Sequence, residues 1–104
     1  MTVRLAVRAQ GDLRAIIEII GGNEPVAARR FEVAFFEAMD RIDAFPEIGV
    51  AVFPRRAIRS LLLKRWGYWI FYAPQPQGDI EILTIRSAKM KPLLSATRQA
   101  KDDE

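Results

Sequence analysis

Residues 45–54 read FPEIGVAVFP. Pro46, Gly49 and Pro54 fall so close together that neither a helix nor a central strand can run through the stretch. The character of the chain changes across it. Before it, apolar residues recur every three or four positions; after it, they come in short runs of strand length. The stretch therefore marks the crossing from a helical half to a sheet half.

Upstream, Ala27, Phe31, Ala34, Phe35, Ala38, Ile42 and Phe45 form one apolar stripe on a helix spanning about 24–45. Arg29, Glu32, Glu37, Asp40 and Asp43 lie opposite, with Val33 and Phe36 at the edge of what the stripe can bury. Asn23, followed by Glu24 and Pro25, is the expected N-cap. Leu13, Ile16, Ile17 and Ile20 give an earlier helix one apolar face. Asp12 is expected to cap its start, and Gly21-Gly22 to give it a left-handed exit. Helices joined so closely pair as a hairpin. The N-terminal MTVRLAVRAQ alternates Val3, Leu5 and Val7 with Arg4 and Arg8, a strand pattern unlike a signal sequence.

Downstream, strands are expected at 57–63, 68–73 and 79–86, joined by KRWG and PQPQG, both of hairpin length. The fold class is α+β: a two-layer sandwich in the order β-α-α-β-β-β. An antiparallel helix hairpin packs on a mainly antiparallel four-stranded sheet. At 104 residues the chain is one domain, with 92–104 expected as a mobile tail or short terminal helix.

Composition removes whole classes of chemistry. The chain has no cysteine and no histidine, so it lacks thiolate metal sites, disulfides and the usual general base. Neither a Gly-rich phosphate loop, a G-x-S-x-G elbow nor metal-ligand spacing occurs, so no cofactor and no metal are expected. No apolar run is long enough to span a bilayer, which makes the cytoplasm the expected location.

Charge is unevenly spread. Residues 1–52 carry six basic and eight acidic residues, whereas 53–98 carry nine basic and two acidic. The basic half favours an anionic partner, nucleic acid or an acidic protein segment. Arg55 and Arg56 precede the 57–63 strand, Arg59 lies within it, and Arg86, Lys89 and Lys91 follow the last strand. A meander is expected to bring these ends together on one side of the sheet, where guanidinium groups bind phosphate. Arg59, held mid-strand, either serves that surface or pairs with a helix carboxylate. Trp66 in the turn serves core or partner contact, Phe71 and Ile70 the core, and Lys64 and Arg65 are turn charges.

Taken in order, these pieces resemble the ParE/RelE superfamily of toxins from bacterial toxin–antitoxin modules. The resemblance spans about residues 3–90. It rests on DLRAIIEII in the first helix, the N-x-x-x-A-x-R opening of the second (Asn23, Ala27, Arg29), and above all the FPEIG junction. IRSL, YWIFY and IEILTIR follow in the last three strands. The resemblance implies the sandwich already derived and two possible targets. ParE-like toxins poison DNA gyrase without cutting nucleic acid; RelE-like toxins cleave mRNA on the ribosome. In both, a cognate antitoxin wraps the toxin in a hetero-oligomer. By position, Arg59 matches the family's strand arginine and Tyr72 the aromatic ending the following strand. Arg86 stands where many members carry histidine, and no aromatic follows the last strand.

The ParE-like branch is therefore favoured: a gyrase inhibitor without an active site, silenced by a ParD-like antitoxin. The alternatives are an endoribonuclease using Arg55, Arg56, Arg59, Arg86 and Lys89, or a non-toxic binding protein on the same fold. Target contact is expected at those five residues and Lys91, and antitoxin contact at Val33, Phe36 and Trp66.

Overall fold

The computed structural model describes residues 3–55 and 57–89. The order is β1 (Val3–Leu5), α1 (Val7–Gly21), α2 (Pro25–Ala44), β2 (Val50–Ala51), β3 (Arg59–Leu63), β4 (Tyr68–Pro74) and β5 (Ile80–Ser87). The α+β sandwich is as expected, with a fifth strand and one parallel pair. The sheet order is β1-β5-β4-β3-β2, and β1 runs parallel to β5 while the other neighbours are antiparallel. The added strand, β2, comes out of the junction itself. The tail 92–104 lies outside the described residues. Among those described, no helix is long and apolar enough to cross a membrane.

Both apolar stripes face the sheet. Phe31, Phe35, Ala38 and Ile42 are fully buried, and Met39, Ala9 and Ile16 join them. Phe31 is the hub: its ring meets Trp66 at 5.5 Å and Tyr68 at 5.7 Å, both edge-on, and Phe35 at 6.4 Å. Burying one such ring stabilises by roughly 1.5–3 kcal/mol. Phe45 departs from its stripe and is 67% exposed, because the helix ends one residue before it.

On β4, Tyr68, Ile70 and Tyr72 belong to the helix-covered cluster, whereas Phe71 is buried outside it. The register shifts between Phe71 and Tyr72, which pair with Thr84 and Ile82. Leu83 is thereby left without a partner on β4, a bulge that increases local twist.

Three helix-end expectations are corrected. The second helix is capped at Glu24, not Asn23, with no side-chain cap bond. Gly22 is right-handed at φ −54°; glycine is instead useful at Gly21, where a Cβ would meet that of Ala28 at 3.1 Å, so the helices close tightly here. The first helix begins at Val7, not near Asp12, and Val7 is 84% exposed rather than in a strand.

Asp12 thus sits inside α1, doing work no cap does. β1 ends its pairing at Leu5 with Ile82, and Ala6 N–H adds one bond to the Ile82 carbonyl at 2.9 Å. Beyond that point no strand lies beside the β5 edge among the described residues. The Asp12 carboxylate takes the strand's place, accepting from Ile85 N–H at 3.0 Å and from Thr84 Oγ1 at 2.6 Å. Charge-assisted bonds of this kind are stronger than neutral ones. Asp12→Ala is therefore expected to lower unfolding free energy by about 2–3 kcal/mol, and Asp12→Asn by about 1 kcal/mol, in urea denaturation at pH 7. A loss below about 0.5 kcal/mol for the alanine variant would show the tie to be idle.

Candidate functional site

The residues matched to the family pattern, Arg59 and Tyr72, face each other across β3 and β4. They converge on the junction after α2. The Tyr72 hydroxyl accepts from Gly49 N–H at 2.8 Å and donates to the Pro46 carbonyl at 2.8 Å. Arg59 Nη1 donates to the Gly49 carbonyl at 2.7 Å and to that of Glu47 at 3.3 Å. Arg59 is thus bound to backbone carbonyls. The expected ion pair with a helix carboxylate does not form, and the salt bridge found among the described residues is Arg8–Asp12, at 3.9 Å.

Only glycine fits at position 49. A Cβ would lie 2.7 Å from Tyr72 Oη and 2.8 Å from the Ser60 carbonyl. Tyr72 has no exposed surface. That burial raises its hydroxyl pKa above the ordinary 10.0, against smaller lowering effects of the Gly49 bond and the Arg59 charge. The phenol is neutral at physiological pH and free to donate to Pro46.

The expected basic cluster separates into two ends. β3 and β5 are each antiparallel to β4, so they run parallel to one another. The start of β3 and the end of β5 consequently lie at opposite ends of the sheet. Arg59 stands opposite Tyr72, while Arg86 stands opposite Trp69, three residues away along β4. That is about 10 Å along the strands and another 10 Å or so across two strand spacings. Arg55 precedes β3 at the Arg59 end, and Arg56 and Lys91 lie outside the described residues.

Arg86 and Lys89 instead adjoin the β3–β4 turn, where Ala88 N–H donates to the Gly67 carbonyl at 2.8 Å. Lys64 and Arg65, which the sequence suggests are mere turn charges, are their real neighbours. These two also line an open groove of about 700 Å³ between α2 and β3. Its apolar lining includes Val26, Val33, Ala34, Leu62, Leu63 and Trp66; Arg29, Arg30 and Arg41 add cations, against one acid, Glu37. Val33 and Trp66 are thus brought together. Phe36, 47% exposed, is not among the lining residues and packs edge-on against Phe35 at 5.4 Å.

β2 pairs only with Arg59 and Ser60, so the edge of β3 at Leu61–Leu63 has no strand on its groove side among the described residues. Sequence reasoning missed this groove because its walls come from distant segments. The cationic residues on helix positions 29, 30 and 41 were the available signal.

The family model for the ParE toxin of type II toxin–antitoxin systems, parDE, matches residues 3–92. In the chromosomal ParDE system of P. aeruginosa, one chain superposes with a TM-score of 0.72 at 21% identity, over 86% of this chain and 97% of that one. The isolated RelE toxin of E. coli superposes with a TM-score of 0.58 at 13% identity, over 95% and 96%. At these identities the likeness is one of fold. No curated protein sequence matches the chain.

Removing the Tyr72 hydroxyl leaves Gly49 N–H and the Pro46 carbonyl unpaired, so Tyr72→Phe is expected to cost about 1–3 kcal/mol. Gly49→Ala is expected to cost at least as much, through the clash. A raised folded-state pKa means the folded state holds the proton more tightly, so this group's contribution is intact below pH 10 and is lost above it. Denaturation across pH 8–11 is expected to show an alkaline decline that Tyr72→Phe reduces. An unchanged decline in that variant would assign the loss to other groups.

Proposed function

The chain belongs to the ParE toxin family of type II toxin–antitoxin systems, and from that premise we propose that it arrests growth in the cytoplasm by poisoning DNA gyrase. It traps the cleaved gyrase–DNA complex without cutting nucleic acid itself. A ParD-like antitoxin silences it in a hetero-oligomer.

The observation that carries the choice of target is the separation of the basic residues. A nuclease built from arginine and lysine needs them to converge on one phosphate. Here Arg59 is engaged with two backbone carbonyls, and Arg86 lies across two strands from it at the far end. Arg59 then acts on the target only through the loop it holds. Arg86 and Lys89, beside Lys64 and Arg65, form the surface we assign to gyrase–DNA, with Arg55 at the opposite end.

The groove suits the antitoxin. Its apolar lining takes the apolar face of an amphipathic segment, and its five cations favour an acidic one. Val33 and Trp66 sit inside it; Phe36 extends the contact over the outer side of α2.

Induced expression, with DNA-damage signalling and mRNA 5′ ends followed together, tests the target. An SOS response with trapped gyrase–DNA complexes and intact transcripts is expected. Codon-positioned cuts in translated messages would replace this reading with ribosome-dependent mRNA cleavage, and unimpaired growth would leave a non-toxic binding protein.

The antitoxin seat has its own test. Val33→Glu, at a half-exposed position, puts a second acid in the groove. It is expected to weaken antitoxin binding at least tenfold by calorimetry while toxicity persists. Unchanged affinity would move the antitoxin elsewhere.

A further inference from the structure

Four cations gather at one end of the sheet. Lys64 and Arg65 stand in the β3–β4 turn, Arg86 lies on β5, and Lys89 follows it. The two segments are fastened to each other. Trp66 N–H and Gly67 N–H both donate to the Leu63 carbonyl, at 3.0 and 2.8 Å, with Gly67 at φ 76°. The Gly67 carbonyl then accepts from Ala88 N–H at 2.8 Å, and Lys89 N–H donates to Ser87 Oγ at 3.1 Å. The backbone that carries the charges is therefore fixed before any ligand arrives.

Lys64, Arg65 and Lys89 are exposed, and Arg86 is half-buried. None of the four forms an ion pair among the described residues, although Glu37 lines the groove beside Lys64 and Arg65. Between residues 53 and 89 the only acids are Asp79 and Glu81. Glu81 pairs with Ala73, five residues along β4 from Tyr68 and so about 17 Å from the turn. A positive field with so little local compensation attracts an anion from outside the molecule.

The aromatic residues decide which polyanion fits. A single strand is held by bases stacked on exposed rings that are interleaved with cations. Here Trp66 and Tyr68 turn edge-on into Phe31, at 5.5 and 5.7 Å. Trp69, opposite Arg86, is half-buried as well. No exposed ring stands beside these cations among the described residues. Cations alone, on arms two strand spacings or about 10 Å apart, suit the phosphates that line the outside of a duplex.

We propose that the toxin holds duplex DNA by its phosphates, without reading sequence, through Lys64, Arg65, Arg86 and Lys89. This rests on the gyrase–DNA reading of the same surface and sharpens it: these side chains meet the DNA and not gyrase. Binding to DNA then needs no gyrase.

Fluorescence anisotropy of the purified full chain with a short labelled DNA duplex of arbitrary sequence tests this. Four phosphate contacts predict that log K falls with log salt at a slope of about −3.6. Lys64→Ala, Arg65→Ala, Arg86→Ala and Lys89→Ala are each expected to bring the slope to about −2.7 and to weaken every duplex alike. Arg14→Ala, which removes an exposed cation of α1, is expected to leave it unchanged. Circular dichroism confirms that each variant is folded. Absence of duplex binding at low salt overturns the proposal, as does a slope that none of the four variants changes. Tighter binding to the single strand, or to RNA of the same length, overturns it too. Gyrase trapped on DNA by a toxin that does not bind duplex alone would sink this proposal and leave the target standing. Duplex binding without trapped gyrase would support it and remove the target.

Discussion

A single phenolic hydroxyl joins the helical half of this protein to its sheet. Tyr72 is buried without exposed surface, so its Oη needs partners inside the protein. Both come from the junction: Gly49 N–H and the Pro46 carbonyl. The chain can reach them only if α2 stops at Phe45 and residue 49 has no side chain. The requirements are mutual. A tyrosine here makes sense only with a glycine there, and Arg59 completes the arrangement by taking up the Gly49 and Glu47 carbonyls. Asp12 works in the same way at the other side, where a carboxylate takes up the Ile85 N–H that no strand among the described residues pairs. In both places a side chain satisfies backbone that secondary structure leaves unpaired.

This explains which parts of the fold were legible in the sequence. The helix stripes and the three-strand meander are periodic, and each strand or helix displays its own period regardless of its neighbours. Phe31, Phe35, Ala38 and Ile42 are buried as their spacing requires. What periodicity does not carry is termination and long-range pairing. Asp12 looked like a cap because caps are the commonest use of a carboxylate near a helix start; its true partners are 72 and 73 residues away. Phe45 continued the stripe by spacing although the helix had already ended. β2 was invisible because two residues have no period.

The basic cluster failed for a different reason, and one the sequence could have exposed. Number and sign group these residues, but strand direction separates them. In any three-strand meander the first and third strands run parallel, so the start of one and the end of the other cannot meet. Applied to 57–63, 68–73 and 79–86, that rule alone separates Arg59 from Arg86. It also brings the end of β5 beside the turn carrying Lys64 and Arg65, where the structure places it.

The same junction shapes the surface available to partners. Extended backwards, β2 would lay residue 49 beside Leu61 and residue 48 beside Leu62, continuing the register that pairs Val50 with Ser60. It does not extend: Ile48, the next residue whose backbone would turn towards β3, gives its N–H to the Phe45 carbonyl in the turn that ends α2, and Gly49 beside it is held by Tyr72 and Arg59. Among the described residues the second half of β3 is left unpaired on that side, and the apolar, cation-rimmed groove opens along it at Leu62 and Leu63. Arg59 and Tyr72 do not line this groove, yet they hold the junction at Pro46, Glu47 and Gly49 from which β2 starts. A residue pattern can be structurally decisive in this way without lining a site, because what it holds is the place where a helix gives way to a strand.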